Sequence, residues 1–168
     1  MLPQAQKYIE KLQLKLHPEG GYYKEIYRAG EMILPEHLPK RYKSARNIST
    51  SIYFLLEGNQ ISHFHRLKSD EQWHYYDGSS IILYVIGESG NLSKILLGRN
   101  IEKGESPQTI IKHNSWFAAE LSDKTSFALI GCTVTPGFDF NDFELGKRSE
   151  LIDTFPQLTE LINKLTKM

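Results

Sequence analysis

From residue 48 to residue 135 the chain breaks into short apolar runs, each closed by residues that turn the backbone. The runs cover 49–56, 61–67, 71–76, 80–86, 93–97, 109–111, 115–119 and 127–134. Between them stand Gly58-Asn59, the cluster Gly87-Glu88-Ser89-Gly90-Asn91, and finally Thr135-Pro136-Gly137. Strands of this length joined by turns close into a sandwich or barrel, because each must bury one face against another sheet. No alternation of strand and helix patterns occurs, which argues against a doubly wound parallel sheet. Nine Tyr and eight Phe suit strands and pockets better than a helical bundle. The expected class is all-β.

The flanks read differently. Ala5, Tyr8, Ile9, Leu12 and Leu16 recur at spacings of three and four, predicting a short amphipathic helix over residues 4–16. Pro18 and Gly20-Gly21 then give a turn, and residues 22–28 have strand character. Residues 32–47 hold Pro35 and Pro39 among Lys40, Arg41, Lys43 and Arg46. They read as a partly mobile loop whose basic side chains form a solvated face, or steer an anionic ligand at a barrel mouth. Residues 145–168 look helical, interrupted at Phe155-Pro156 and resuming with Leu158, Leu161, Ile162 and Leu165 on one stripe. A chain of 168 residues without repeats or linkers is expected to form one domain, 1–168.

Charge and cysteine content narrow the function classes. Lys+Arg and Asp+Glu each number 20, so bulk charge does not favour nucleic acid or a membrane surface. Cys132 is the single cysteine, so neither an intrachain disulfide nor a Cys-pair metal site can form. A reducing, cytoplasmic setting fits this, as do the lack of a signal-peptide core at the start and of any apolar run of membrane-spanning length.

The chemistry concentrates in residues 62–78, which hold three of the six histidines. On a regular strand His63 and His65 share a face, and on the next strand Glu71, Trp73 and Tyr75 share one. Lys68-Ser69-Asp70 can turn the chain so that a hairpin sets Glu71 opposite the histidines. Two imidazoles and a carboxylate so placed can hold Fe, Mn, Ni or Zn with open positions. Without metal the same groups are an imidazole–carboxylate pair for general acid–base work. His74 falls on the face opposite Glu71 unless a bulge turns it inward. Cys132, inside an apolar run, reads as a buried small hydrophobe.

His63-x-His65, Glu71 and Gly78 resemble the first motif of the cupin superfamily. In the region of the second motif, Gly104 to His113 and on to Phe117, the pattern departs. Lys112 stands for the usual proline, Asn114 for the glycine, and Phe117 for the fourth metal ligand. His17-Pro18-Glu19-Gly20-Gly21-Tyr22-Tyr23 with Glu25 and Arg28, Phe64-His65-Arg66, Ser69-Asp70-Glu71, Trp73-His74, Pro107-Gln108, Trp116, and the block from Gly131 through Phe140 to Glu144 are similar to the cupin-5 branch. That resemblance implies a jelly roll (a double-stranded β-helix), a ligand cavity inside the barrel, kinship to sugar-nucleotide epimerase-like cupins, and a homodimer. The expected catalytic residues are His65, Glu71 and His74. Tyr23, Glu25, Trp73, Gln108 and Trp116 are expected to bind ligand, and His63, His65 and Glu71 to hold a divalent metal ion if one binds. Two readings stay open: an isomerase or epimerase acting on a small polar molecule, and a non-catalytic binding or sensing protein. The aromatics of 137–144 are expected to plug the barrel or cover a dimer surface.

Overall fold

The computed structural model describes residues 2–167. Helix α1 (Pro3–Leu12) opens on Pro3, whose missing N–H costs nothing at the first helical position. It stops four residues short of the expected end. Gln13 turns left-handed (φ 58°), and its N–H returns to the Glu10 carbonyl. Lys15–Leu16 then becomes strand β1, paired with Tyr22 and Tyr23 of β2 (Tyr22–Arg28).

Residues 32–47 are more ordered than the sequence suggests. Strands β3 (Met32–Ile33) and β4 (Arg46–Asn47) pair with each other. Arg46 is buried rather than solvated, because Asp142 receives its guanidinium through two bonds, one of 2.7 Å. The barrel strands follow: β5 (Thr50–Glu57), β6 (Ile61–Leu67), β7 (Asp70–Gly78), β8 (Ile81–Ile86), β9 (Leu92–Leu97), β10 (Gln108–Ile111), β11 (Trp116–Leu121), β12 (Phe127–Thr135) and β13 (Phe143–Leu145). Helices α2 (Arg148–Thr154) and α3 (Thr159–Leu165) close the chain, separated at Pro156 as expected.

Two antiparallel sheets face each other, in the orders β1-β2-β5-β12-β7-β10 and β13-β6-β11-β8-β9. Their inner faces bury Phe54, Leu56, Trp73, Leu83, Phe117 and Ile130. On the outer face of the five-stranded sheet, α2 and α3 cover Phe64, Tyr84 and Ile86 with Leu151, Ile162 and Leu165. Helix α1 covers Leu55, Phe127 and Leu129 on the other sheet. Each such side chain contributes roughly 1.5–3 kcal/mol on burial. Where the helices cover the outer face, as on β5, β8, β11 and β12, the apolar run is more continuous than strict alternation.

One consequence concerns the site. β6 and β7 belong to different sheets, so the expected β6–β7 hairpin does not form. The chain crosses between sheets at Lys68-Ser69, and Glu71 meets His65 across the barrel instead of along a ladder.

Candidate functional site

A cavity of about 490 Å³ opens at one end of the barrel, with Glu19, His65 and Glu71 in its wall. That volume lies within the usual range of small-molecule pockets. Its composition comes from both sheets, from the 17–21 turn, and from the segment that follows β12.

Glu19 is the first key side chain. Gly20 follows it at φ +114°, where a Cβ would lie 2.1 Å from the Ile61 carbonyl oxygen, so only glycine lets the turn press on β6. The His63 N–H donates to the Glu19 carbonyl at 2.9 Å and locks that contact. The carboxylate then reaches inward. Ser62 Oγ donates to Oε1 at 2.8 Å, while Oε2 lies 3.2 Å from His65 Nε2 and 3.3 Å from His17 Nδ1. Burial alone would raise the Glu19 pKa, but His65, His17 and Ser62 outweigh it and hold the carboxyl below its usual range.

His65 Nδ1 lies 2.7 Å from the His63 carbonyl oxygen, which can only accept, so Nδ1 carries a hydrogen. Proton exchange is therefore confined to Nε2, the atom that faces Glu19. Burial pulls the His65 pKa down and the Glu19 charge pulls against it, with burial the stronger. The pair is thus a proton acceptor of modest basicity inside a low-dielectric wall.

Glu71 is the opposite case. It is 7 % exposed and Oε2 has no hydrogen-bond partner. Burial, reinforced by the nearby Glu19 charge, raises its pKa to about 8, so it is an uncharged acid at neutral pH. Trp73, two residues on along the same face of β7, has an unpartnered buried Nε1. Its ring packs between Phe54 and Phe117, with centroids at 5.9 and 6.2 Å. Cys132 pairs with Trp73 in the β12–β7 register and lines the same wall, its thiol pushed well up by burial. It is the inert, buried side chain the sequence suggests.

At the mouth, Glu25 holds Arg28 through two bonds of 3.0 and 2.7 Å, and Arg28 also donates to Asn47 Oδ1 and the Phe138 carbonyl. Phe138, Phe140 and Phe143 stand steeply to one another, with centroids 5.0, 6.2 and 6.3 Å apart. They line the cavity rather than filling it.

Of the residues singled out from sequence, the structure brings His65, Glu71, Tyr23 and Glu25 together. It does not bring in the others. Phe117 pairs with His65, but Ala119 pairs with Ser62, so β6 spends one extra residue between those points. This bulge breaks the alternation that would put His63 beside His65. Ser62 and His65 turn inward, and His63 lines an outer hollow with Arg148 and Lys167. His74 lies on the outer face of its sheet, Nε2 3.4 Å from Thr133 Oγ1, with Gln108 its exposed cross-strand partner. Trp116 sits outside the barrel beneath the Arg66 guanidinium at 4.5 Å. Trp73 is core packing beneath the cavity. Sequence reasoning did not assign His17, Glu19, Arg28, Asp139 or Cys132 to the site. The one available signal was a carboxylate set before paired glycines.

The expected metal trio is likewise separated. His63 points away, and the Phe117 ring packs 4.0 Å from the His65 ring, centroid to centroid. Among the described residues no group of three or more His, Cys, Asp or Glu is arranged to hold a metal ion. The residues present do not fit the divalent ion that the resemblance raised.

Comparison with known proteins places the chain. The sequence profile of the Cupin_5 family, described as cupin superfamily (DUF985), matches residues 6–146. The chain belongs to this family. It is 30 % identical over 147 residues to an uncharacterised protein of Saccharomyces cerevisiae, a match covering 82 % of this chain and 72 % of the yeast protein. A crystal structure of a Shewanella oneidensis protein superposes with a TM-score of 0.88 at 36 % identity, covering 97 % of each chain. A hypothetical protein from Leishmania major gives 0.87 at 32 % identity, covering 98 % of this chain and 99 % of its own. Oxalate decarboxylase from Bacillus subtilis shares the cupin fold, with a TM-score of 0.55 at 16 % identity over 89 % of this chain and 36 % of the decarboxylase. Among the described residues of this cupin, no helix is long and apolar enough to cross a membrane.

Proposed function

We propose that the barrel cavity binds a small polar molecule and moves a proton on it, as an isomerase or epimerase does. The observation that carries this reading is Glu71: a buried, uncharged acid with a free oxygen, in the same cavity as an ionised Glu19 that holds His65. Two titratable groups driven apart in this way are the acid and base that carbonyl isomerisation needs. In the reaction, Glu71 donates to a carbonyl oxygen while the Glu19–His65 pair, which meets at Oε2 and Nε2, takes the proton from the adjacent carbon. The C–H electron pair becomes the enediol double bond; return of the proton to the other face of the same carbon, with Glu71 recovering its hydrogen, gives the epimer, and return to the former carbonyl carbon, with the neighbouring hydroxyl giving its proton to the Glu71 carboxylate, gives the isomer. No external reductant or oxidant enters.

The test is solvent exchange. Dihydroxyacetone, glyceraldehyde and common hexoses are incubated with the protein in D2O, and loss of the α C–H signal is followed by proton NMR. The expected result is enzyme-dependent exchange that falls by about 10²–10⁴-fold in Glu71→Gln and in His65→Ala. Exchange no faster with the wild type than with Glu71→Gln across the panel overturns the reading and leaves a binding protein.

A further inference from the structure

The lining charge says what that molecule carries, a step that rests on the acid–base reading of the same cavity. Among the described residues its acidic side chains are Glu19, Glu25, Glu71 and Asp139, and Arg28 is the one permanent cation in its lining. Arg28 is already held by Glu25 through its Nε–Nη2 edge and by Asn47 and the Phe138 carbonyl through Nη1. With Glu71 uncharged, Glu19 and Asp139 remain as anions, set against only two imidazoles, His17 and His65. A phosphate or carboxylate entering here would shed water beside carboxylates and find no free cation, which rules against it strongly in a confined site.

Five aromatic side chains, Tyr23, Phe54, Phe138, Phe140 and Phe143, share the rest of the wall with Thr50, Cys132 and the aliphatic Ile52, Leu67 and Val134. Aromatic faces with carboxylates nearby are the surroundings in which an organic ammonium is better placed than any neutral isostere. Deeper in, the free Glu71 Oε2 shows that one built polar group still lacks a partner in the protein. An uncharged carboxyl there offers a hydrogen to a carbonyl or hydroxyl oxygen.

We infer that the cavity takes a small molecule with a protonated amine held at the Glu25/Asp139/aromatic mouth and a carbonyl or hydroxyl oxygen held at Glu71. The ligand is an amino-substituted carbonyl or hydroxy compound, and a nucleoside diphosphate sugar is excluded by its charge.

Three probes of one shape and different charge test this: tert-butylammonium, tert-butanol and trimethylacetate. Each is titrated into the 15N-labelled full chain while the amides of Ile52, Val134 and Phe138 and the Trp73 indole N–H are followed. The expected order is tert-butylammonium tightest, by about tenfold over tert-butanol, with trimethylacetate weakest. In the Glu25→Gln/Asp139→Asn double variant, whose spectral dispersion reports its folding, the cation preference should be lost. Equal binding of all three, or a preference for trimethylacetate, overturns the inference while leaving the acid–base reading standing. If no probe shifts the cavity signals, the inference falls, and the acid–base reading is decided by the exchange experiment alone. The wild-type series alone decides the matter should the double variant not fold.

Discussion

Glu71 and Glu120 are both carboxylates that the fold removes from water, at 7 % and 3 % exposure, one on the inner wall of the barrel and the other beneath the C-terminal helices. Glu120 is fully engaged. Tyr84 Oη donates to it at 2.9 Å, Lys124 at 2.9 Å, and Lys164 at 2.5 Å. Burial would raise its pKa, but those partners outweigh it and keep it ionised. Glu71 has far weaker company: Trp73 and Cys132 favour its charged form without overcoming burial, its Oε2 is unpartnered among the described residues, and its pKa stands at about 8. A buried polar group without a partner lowers stability, so the two carboxyls weigh on the fold with opposite sign. The outer network anchors α3 to the barrel, and the inner carboxyl anchors no such element.

The contrast has its largest expected effect in the pH dependence of stability. A Glu71 pKa near 8 in the folded chain, against an ordinary value of 4.5, means that the native state keeps a proton the unfolded state has lost. Unfolding then releases a proton between those limits, so stability falls as pH rises, by roughly 5 kcal/mol across the window. His65, with its lowered pKa, works in the other direction below its unfolded value, so the comparison is wild type against Glu71→Gln. Urea denaturation from pH 5 to 8 should show the wild type losing stability relative to the variant throughout. A flat difference would mean that Glu71 is ionised like Glu120, and the contrast would collapse.

A smaller effect separates the two sites at constant pH. Glu120→Leu removes the acceptor for the half-exposed Lys124 and Lys164 and leaves the Tyr84 hydroxyl buried without its partner. The cost should be about 2 kcal/mol, since the lysines can turn to water and the phenol cannot. Glu71→Leu should be neutral near pH 4.5 and stabilising by roughly 3 kcal/mol at pH 7, because it removes a carboxyl whose ionisation the fold suppresses. Chemical denaturation of both variants checks the pair, and equal destabilisation would show that Glu71 has a structural partner after all.

How far these regions could be read from sequence follows from how local their causes are. The strands were legible because turn residues and apolar runs act over a few positions, as at Gly58-Asn59 between β5 and β6. Phe117 was legible as a departure because it replaces an expected ligand, and the structure puts its ring against His65. The facing of His63 was not. It depends on a bulge that exists only in the register of β6 against β11, some fifty residues away. Glu19 was missed for the same reason: its partners Ser62 and His65 stand more than forty residues on, and nothing near it shows that a turn carboxylate will be buried. The β6–β7 hairpin failed because local turn chemistry at Lys68-Ser69 cannot distinguish a hairpin from a crossing between sheets.

The smallest effect is expected at Ser62, which links the two kinds of carboxylate. Ser62 is fully buried and its hydroxyl donates to Glu19 Oε1 at 2.8 Å. Ser62→Ala would leave that oxygen without its donor and move Glu19 toward the condition of Glu71. The loss should be about 1 kcal/mol at neutral pH. Its pH dependence has a definite sign. Glu19 has a lowered folded pKa, so its contribution is present above the unfolded value and is lost as pH falls through the folded one. The deficit of Ser62→Ala should therefore be full at pH 7 and shrink as pH falls through the folded values, where Glu19 protonates first in the variant and then in the wild type. Acid titration of the two proteins by urea denaturation measures this. A deficit that is constant with pH would assign Ser62 to packing alone and leave Glu19 held by its histidines.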